Sequence, residues 1–427
     1  MNIQNKVMMN ESTFSIKVLG CKVNQYETQA IRELMVRFGF REVSSAIADY
    51  IIINTCTVTS QADAKNRKMI RSMAKENPNA KIIVTGCYAV KSEDVAEISA
   101  IDGVFQVVSN DDKMKIPLML SKDREPACGE DLKITGFESH TRAFVKIEDG
   151  CSETCTFCKV RLVRGKVKCR RKSEIISEII GLLDNGHKEI VLTGICIGLW
   201  LGENNETLAD LMKDVNAIER DFRIRVSSIE PNHVDTRFIE AMASSSRVCR
   251  HLHVPLQSGS DKILKLMSRR YTAAGYANII KNIRARMPLI GVTMDVIVGF
   301  PGEAESDFKD TIRLIRDVEP SRLHVFTYSD RKGTAASRLP GKLERGIVKD
   351  RVSELIAVGD DLQRKFAQKF IGKEVEVLLE SNIRDNALSG YTREYVQFEY
   401  SSDTALSGEI LHAVPLRIDS CLPVLHA

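Results

Sequence analysis

Short apolar runs alternate with longer amphipathic stretches over the first 125 residues. The apolar or β-branched runs are of strand length and fall at 14–18, 50–53, 81–84 and 104–108. Apolar positions at helical spacing occupy the stretches between them, at 25–38, 62–75 and 93–98. Alternating strands and helices predict a doubly wound α/β domain at 1–125, in which helices cover both faces of a parallel sheet.

The same alternation resumes further along the chain with six strand candidates. They fall at 143–147, 189–193, 224–229, 251–256, 292–298 and 323–328. Helical patterns separate or follow them at 174–183, 208–219, 279–286, 308–318 and 349–369. Six strand–helix units predict a partial (βα)6 parallel barrel over 141–370, with its chemistry at the carboxyl ends of the strands.

Two further segments differ from this alternation. Residues 126–140 are rich in charges and contain Pro126, Gly129 and Gly136, which indicates a linker. From residue 371 onward, strand patterns occur without helices, at 374–379, 395–400 and 410–418. This pattern predicts a small all-β barrel over 371–427, a shape often used to bind RNA.

The composition is that of an ordinary globular protein, with 43% hydrophobic and 28% charged residues. The first twenty residues contain no apolar stretch long enough for a secretion signal, and the longest apolar runs are strand-sized. We therefore expect a cytoplasmic protein with no membrane partner. The formal net charge of +4 permits a nucleic-acid partner without requiring one.

Three of the eleven cysteines, Cys151, Cys155 and Cys158, form a C-x3-C-x2-C motif, here called the barrel triad. Their thiolates can hold one inorganic cluster, whereas a structural zinc site needs a fourth ligand. An odd number of cysteines in a reducing compartment argues against disulfides. The spacing favours a four-iron cluster with one open iron; zinc or three incidental thiols are the alternatives.

Three other cysteines, Cys21, Cys56 and Cys87, each follow a predicted strand and are here called the N-terminal triad. Loops after the strands of an open parallel sheet emerge at one edge, so we expect these thiols to converge and bind a second cluster. Three buried or helix-capping thiols are the alternative. The remaining cysteines are interpreted as ordinary thiols: Cys128, Cys169, Cys196, Cys249 and Cys421.

A basic run directly follows the barrel triad. From Lys159 to Lys172 there are eight lysines or arginines and no acidic residue. A charge run is ordinarily a solvated face, but the position of this one favours contact with phosphates of an RNA substrate. The candidate substrate-binding residues are Arg161, Arg164, Lys166, Lys168 and Arg170.

The barrel triad, with Phe157 before its last cysteine, resembles the signature of the radical S-adenosylmethionine (SAM) superfamily. The whole chain also resembles the radical SAM methylthiotransferases, whose motifs occur in order along it. They are Leu-Gly-Cys-Lys-Val-Asn-Gln-Tyr-Glu-Thr at 19–28, Asn-Thr-Cys-Thr-Val-Thr at 54–59, Thr-Gly-Cys-Tyr-Ala at 85–89, Ser-Ser-Ile-Glu-Pro at 227–231, His-Leu-His-Val-Pro-Leu-Gln-Ser-Gly-Ser at 251–260 and Asp-Val-Ile-Val-Gly-Phe-Pro-Gly-Glu at 295–303. Gly-Tyr-Thr at 390–392 falls in a segment similar to a TRAM domain.

The resemblance implies two four-iron clusters, with SAM bound at the open iron of the barrel triad and an auxiliary cluster on the N-terminal triad. One SAM would supply a 5'-deoxyadenosyl radical, and another would methylate sulfur held at the auxiliary cluster. The C2–H of adenine has no leaving group and no useful acidity, so cofactors must supply this chemistry. The TRAM-like domain would bind tRNA.

Residues that close the second and third barrel strands are expected to face the SAM pocket. These are Thr193, Gly194, Ser228 and Glu230, with barrel structure or loop capping as the alternative for each. His251 and His253 share a strand face, as a metal pair would, but we expect them to fill the barrel.

The motif at 19–28 is most similar to the branch that acts on N6-threonylcarbamoyladenosine at tRNA position 37. Methylthiolation of N6-isopentenyladenosine or of a ribosomal protein residue remains an alternative. A radical SAM enzyme of another type and an RNA-binding protein with structural clusters are further alternatives.

Expected partners are a tRNA anticodon stem-loop and an electron donor such as flavodoxin or ferredoxin, with the protein acting as a monomer. Departures from the family pattern, among them Cys196 and Glu394, affect the nucleoside pocket.

Overall fold

The computed structural model describes residues 12–121, 133–137, 141–384, 387–401, 407–419 and 423–426. These residues form two compact units. The first comprises the described part of Met1–Ile134 with Leu162–Arg164, and the second that of Thr135–Arg161 and Gly165–Ala427. Most of the predicted linker, together with Cys128 and Cys421, lies outside the described residues. Within the described ranges, no helix is long and apolar enough to cross a membrane.

The first unit is built on a five-stranded parallel sheet. Its strands are β1 (Thr13–Val18), β2 (Arg41–Glu42), β3 (Tyr50–Thr55), β4 (Lys81–Gly86) and β5 (Val104–Val107), and its helices are α1 (Lys22–Arg37), α2 (Ser60–Glu76), α3 (Ser92–Ser99) and α4 (Ile116–Leu120). The strand order is β2-β1-β3-β4-β5. The four predicted strands and three predicted helices are present, whereas β2 and α4 are too short to show a periodic pattern.

Apolar side chains cover both faces of this sheet. Successive residues of a strand point to opposite faces. Ile51 and Ile53 of β3 pack with Ile70 of α2 on one face. Ile52 packs with Ile31 of α1 on the other face. Burial on both sides explains why the strands appear in the sequence as continuous apolar runs, and the predicted doubly wound fold is confirmed.

The second unit contains the predicted partial barrel. Its strands and those of an adjoining antiparallel pair are β6 (Ala143–Lys146), β7 (Glu148–Asp149), β8 (Lys168–Cys169), β9 (Glu189–Thr193), β10 (Arg223–Val226), β11 (His251–His253), β12 (Gly291–Val298) and β13 (Arg322–Thr327). Two parallel three-stranded sheets, β6-β9-β10 and β11-β12-β13, are joined by a parallel bridge between Ser228 and His253. Six parallel strands therefore run in chain order, which confirms the partial (βα)6 barrel.

Helices flank the barrel strands. They are α5 (Val160–Arg164), α6 (Lys172–Asp184), α7 (Leu208–Asn216), α8 (Thr236–Ser244), α9 (Asp261–Leu266), α10 (Ala273–Arg286), α11 (Glu305–Val318) and α12 (Arg345–Gln368). Polar N-caps define several starts: the Asp235 carboxylate accepts the Phe238 N–H at 2.8 Å, and the Thr272 hydroxyl accepts the Gly275 N–H at 3.0 Å. The predicted helical stretches are all present.

The C-terminal strands form a six-stranded, mostly antiparallel sheet. They are β14 (Val375–Arg384), β15 (Ala387–Thr392), β16 (Gln397–Ser401), β17 (Ile410–Ala413), β18 (Arg417–Ile418) and β19 (Leu425–His426), in the order β17-β14-β15-β16-β19-β18. Their apolar side chains pack with Phe366 in the last turn of α12 and with Phe370, which follows the helix. The predicted strand 410–418 is divided at Pro415, which lacks the N–H that a ladder requires.

A buried charge cluster joins the amino ends of the barrel strands to this C-terminal sheet. Glu189 accepts hydrogen bonds from Arg223 and Arg225, and all three side chains are at most 2% exposed. The same arginines donate to the backbone carbonyls of Tyr391 at 2.9 Å and Thr392 at 3.2 Å. The C-terminal sheet is therefore part of the same packed unit as the barrel.

Candidate functional site

The structure brings the N-terminal triad together at the carboxyl edge of the first sheet. Cys21 is the N-cap of α1, Cys56 follows β3 and Cys87 follows β4. The sulfurs of Cys21 and Cys87 lie 3.9 and 4.0 Å from the same atom, Asn24 Oδ1. Cys56 interacts electrostatically with both other thiols. Three cysteines far apart in the sequence thus face one centre.

The loop at Gly20 is shaped to lie against this centre. Gly20 has a φ of +121°, and a Cβ there would lie 2.7 Å from Cys56 Cβ and 2.9 Å from Asn24 Nδ2. Only glycine can adopt this backbone at such close approach. Cys21, next in the chain, lies at the positive end of the α1 dipole, which favours a negatively charged group.

Burial favours the neutral thiol form of two of these cysteines, Cys56 and Cys87. Burial raises the pKa of Cys56 to about 11 and also raises the pKa of Cys87. A thiol ligand must lose its proton to bind a metal, so cluster binding here is coupled to proton release.

One basic side chain of the first unit lies directly against the N-terminal triad. The Arg164 Nε donates to the Cys87 Sγ at 3.2 Å. Its other nitrogens donate to Glu27 at 3.1 Å and to Asn24 Oδ1 at 2.6 Å. Lys113 also pairs with Glu27, at 2.5 Å. Neither Glu27 nor Asn24 was singled out from the sequence, although both stand in the motif at 19–28.

The barrel triad lies in the loop that follows β7, beyond the carboxyl end of the first barrel strand. The Cys158 N–H donates to the Cys155 carbonyl at 3.2 Å, and the Glu153 N–H donates to the Cys151 Sγ at 3.4 Å. Burial raises the pKa of Cys158 to about 12 and raises the pKa of Cys155. Both thiols interact electrostatically with Cys151, which stands in the same loop.

Hydrogen bonds and ring contacts hold this loop on the barrel. The Thr156 hydroxyl donates to the Leu266 carbonyl at 2.8 Å, and its N–H donates to the Met267 carbonyl at 3.1 Å. The Phe157 ring makes an edge contact with Phe300, with centroids 6.5 Å apart. The aromatic residue before the last cysteine therefore anchors the loop in an apolar cluster.

Arg269 connects the barrel triad to a predicted SAM-binding residue. Its guanidinium donates to the Cys155 Sγ at 3.1 Å, to the Tyr271 hydroxyl at 3.0 Å and to the Glu230 carboxylate. Tyr271 in turn donates to the Leu256 carbonyl at 2.9 Å. Arg269 was not identified from the sequence, because its link to Cys155 spans 114 residues.

Cys196 was predicted to be an ordinary thiol, and the structure corrects this. It is buried, and its thiol acts on Cys151 and lowers the pKa of Cys151 to about 7. The Cys196 N–H donates to the fully buried Glu148 carboxyl group. Burial raises the pKa of Glu148 to about 8.

The four predicted SAM-binding residues lie at the carboxyl ends of β9 and β10, as barrel topology requires. Thr193 is buried, whereas Ser228 and Glu230 are half-buried. A Cβ on Gly194 would lie 2.6 Å from Glu148 Oε1, so a larger residue there would require the buried Glu148 side chain to shift. Gln257, in the segment that follows β11, adopts a left-handed φ of +67°, a conformation that is strained for a residue other than glycine.

Both triads fit the cofactors expected of them. Each motif supplies three cysteine thiols, and each triad has an arginine donating to one of its sulfurs. This donor set suits a four-iron cluster with one open iron better than a closed zinc site.

Both the N-terminal part and the barrel part of the chain match known protein families. Residues 13–108 match the family described as "Uncharacterized protein family UPF0004", and residues 145–315 match the radical SAM superfamily. The threonylcarbamoyladenosine tRNA methylthiotransferase MtaB of Bacillus subtilis is 38% identical over 94% of this chain and 93% of its own. The chain belongs to the radical SAM tRNA methylthiotransferase family. Two four-iron clusters and SAM are the cofactors of such an enzyme.

Other members of the methylthiotransferase family are similar over comparable lengths. The MtaB protein of Thermotoga maritima is 36% identical over 91% of each chain. The tRNA-2-methylthio-N(6)-dimethylallyladenosine synthase of Alkaliphilus oremlandii is 32% identical over 96% of this chain and 90% of its own. The fold also resembles the radical SAM methyltransferase TsrM of Kitasatospora setae, with a TM-score of 0.54 over 74% of this chain and 73% of that one, at 12% identity.

The structure alters the predicted substrate-binding set of this methylthiotransferase. Arg161, Lys166 and Lys168 are exposed. Arg164 is buried in the first unit against Glu27, so it is removed from the predicted RNA-binding surface. Arg170 is half-buried and pairs at 2.5 Å with the buried Glu178, which makes it a structural residue rather than a phosphate contact.

The two barrel histidines have different surroundings. His251 is buried, and its Nε2 forms a hydrogen bond with Thr293 Oγ1 at 3.1 Å. Its ring stacks on that of Tyr395, with centroids 4.6 Å apart. His253 faces Asp295 at 3.3 Å. Potential ligand atoms of His253, Asp295 and His324 lie within 4.8 Å of one another. These three residues stand on the neighbouring strands β11, β12 and β13.

Proposed function

We propose that this enzyme adds a methylthio group to C2 of N6-threonylcarbamoyladenosine at position 37 of tRNA. The observation that carries the proposal is the 38% identity to the Bacillus subtilis MtaB protein over 94% of the chain. Five relatives named MtaB are 32–38% identical, whereas three dimethylallyladenosine synthases are 31–33% identical. Methylthiolation of the isopentenyl nucleoside is the second candidate, because those relatives also match nearly the whole chain.

We assign the barrel triad to the cluster that binds SAM and the N-terminal triad to the auxiliary cluster. When bound, these clusters and SAM supply the radical that opens an unactivated C–H bond and the methylated sulfur that replaces the hydrogen. The chain's own residues hold and orient these groups. Glu230 lies beside Arg269 at the end of β10, and Thr193 and Gly194 close β9, where they are proposed to contact SAM.

Recognition of the tRNA is assigned to exposed basic residues and to the C-terminal sheet. Arg161, Lys166 and Lys168 follow the barrel triad in the chain and are exposed, and we propose that they contact phosphates. The strands from β14 to β19 are proposed to act as a TRAM-like RNA-binding domain. We further propose that the enzyme recognises the anticodon stem-loop of the tRNA and receives electrons from a flavodoxin or ferredoxin. We also propose that it acts as a monomer in the cytoplasm.

Mass spectrometry of tRNA nucleosides tests the substrate. A strain that lacks the gene should lose 2-methylthio-N6-threonylcarbamoyladenosine and accumulate N6-threonylcarbamoyladenosine. The intact gene should restore the product, whereas a gene encoding Cys151→Ala should not. Loss of the isopentenyl analogue instead would identify the second candidate as correct.

Anaerobic reconstitution tests the two-cluster assignment. The protein should take up about eight irons per chain. Replacing Cys21, Cys56 and Cys87 together by Ala should remove about half of this iron while SAM is still cleaved to 5'-deoxyadenosine. Full iron retention by the triple variant would refute the assignment of the auxiliary cluster.

A further inference from the structure

We propose that Arg164 is a positioning residue of the auxiliary cluster. Its guanidinium holds the Cys87 sulfur by a hydrogen bond and, through this contact, raises the reduction potential of the cluster. The inference rests on the proposed function, since it takes Cys87 as a ligand of that cluster. It goes beyond that function in giving an electrostatic role to an arginine of the basic run.

The hydrogen bonds of Arg164 fix its orientation toward the sulfur. Its Nε donates to Cys87 Sγ at 3.2 Å, and one terminal nitrogen donates to Asn24 Oδ1 at 2.6 Å. Both terminal nitrogens donate to Glu27 at 3.1 Å. The side chain is 1% exposed, so all of these contacts are shielded from water. A fork held at three nitrogens cannot turn away from the thiolate.

Asn24 connects the hydrogen bonds of Arg164 to the backbone at the carboxyl edge of the first sheet. Its amide donates to the backbone carbonyls of Leu19 at 2.9 Å and Thr55 at 2.8 Å. Its Oδ1 is therefore directed toward Arg164 and toward the sulfurs of Cys21 and Cys87. The carbonyl oxygen and the guanidinium are thus positioned by the loops that carry the cysteines.

The charges around Cys87 favour an anionic ligand group. Arg164 and Lys113 share the single buried carboxylate of Glu27, so the three side chains together carry more positive than negative charge. Coulomb interactions are strong in a site with little water. Reduction adds an electron to a cluster held by thiolates, and hydrogen bonds and positive charge at the sulfurs stabilise the reduced state. Arg164 supplies both.

The test uses the full chain with Cys151, Cys155 and Cys158 replaced by Ala, so that only the auxiliary cluster reports. Redox titration monitored by electron paramagnetic resonance then gives its midpoint potential. We expect Arg164→Met to lower the potential enough that the ratio of reduced to oxidised cluster falls about tenfold at a fixed potential, or ~59 mV for one electron. Arg164→Lys should give an intermediate value, because it keeps the charge without the fixed fork.

Three further variants separate the hydrogen bond from general effects. Glu27→Gln removes a negative charge and should raise the potential, opposite in sign to Arg164→Met. Lys113→Met removes the other cation of Glu27 and should shift the potential less than Arg164→Met. Arg171→Met removes an exposed arginine, 70% accessible, and should leave the potential unchanged.

An unchanged potential in Arg164→Met with full iron content would overturn the proposal. So would shifts of the same sign in Arg164→Met and Glu27→Gln, because a purely structural pair predicts that result. Arg164→Met leaves the buried Glu27 carboxylate without its arginine and could lose iron for that reason. In that case the potential of the double variant Glu27→Gln/Arg164→Met is measured instead, because this variant has no charge at position 27. Iron loss from both of these, with retention in Arg164→Lys, would show that the buried cation anchors the ligand. The parent protein tests the ligand assignment separately: absence of its cluster refutes that assignment whatever Arg164 does.

Discussion

The side chains of Arg225 and Glu189 form a fully buried bidentate ion pair at the amino end of the barrel. Arg225 Nε donates to Glu189 Oε1 at 2.7 Å, and a terminal nitrogen of Arg225 donates to Oε2 at 3.2 Å. Burial alone would raise the pKa of Glu189, but the guanidinium groups of Arg225 and Arg223 hold it well below its ordinary value. This pair lies where the C-terminal sheet meets the barrel, so it links two elements of the fold.

Glu189→Gln should therefore destabilise the second unit strongly. Removing one partner of a buried pair leaves buried charge uncompensated, which costs about 3–5 kcal/mol. Chemical denaturation followed by circular dichroism measures the loss. Asp184→Asn, which breaks an exposed pair with Arg220, is the matched control and should cost less than about 1 kcal/mol. Equal effects of the two variants would contradict the structural role of the cluster.

Glu148 should make the folded protein less stable as the pH rises, because its pKa is raised. Glu189, whose pKa is lowered, should have the opposite effect. Burial raises the pKa of Glu148 from an ordinary 4.5 to about 8, so the folded state prefers the protonated carboxyl. This preference is fully present below pH 4.5 and is lost as the pH rises through about 8.

Glu148→Gln should remove this dependence. The Gln carbonyl can still accept the Cys196 N–H, and the neutral amide has no charge to desolvate. At pH 8 we expect the variant apoprotein to be more stable than the parent by about 1–3 kcal/mol, with little difference at pH 5. Denaturation midpoints across this pH range give the comparison; parallel profiles for the two proteins would show that Glu148 ionises normally.

Cys196 should control the reactivity of Cys151 in the apoprotein. The buried Cys196 thiol lowers the pKa of Cys151 to about 7, which favours the Cys151 thiolate at neutral pH. Cys196→Ala should slow alkylation of Cys151 by iodoacetamide several-fold at pH 7. Cys196→Ser, which keeps a donor, should slow it less. Peptide mass spectrometry gives the site-specific rates, with the exposed Cys169 as an internal control whose rate should not change.

The exposed part of the basic run should contribute to tRNA affinity. Arg161→Ala combined with Lys166→Ala should weaken tRNA binding and lower the slope of log Kd against log salt by about 1–2, since each lost phosphate contact removes about one released counterion. The matched control is Lys309→Ala with Arg313→Ala, two exposed residues of α11. If both pairs change the salt slope equally, the effect is one of overall charge and not of a binding surface.

Periodicity and motif spacing were sufficient to predict the architecture and the two cysteine triads. Apolar runs such as 50–53 and 81–84 mark strands covered on both faces, because a parallel sheet buries both sides of each strand. The position of each N-terminal cysteine after a strand predicts convergence, because parallel strands present their carboxyl ends at one edge. Short elements such as β2 and α4 carry no such pattern and became visible only in the structure.

Contacts between residues distant in the chain were decided by the tertiary structure alone. The sequence does not distinguish Arg164 from Arg161, because both belong to the basic run. In the structure Arg164 is buried against Glu27 and Cys87, whereas Arg161 is exposed. Cys196 and Arg269 likewise gain their roles from packing against the barrel triad across 45 and 114 residues. The sequence by itself determined which elements form and which edge carries the thiols, since these depend on local periodicity and sheet topology. The charges and hydrogen bonds that act on those thiols depend on burial and on long-range contacts, which only the folded chain defines.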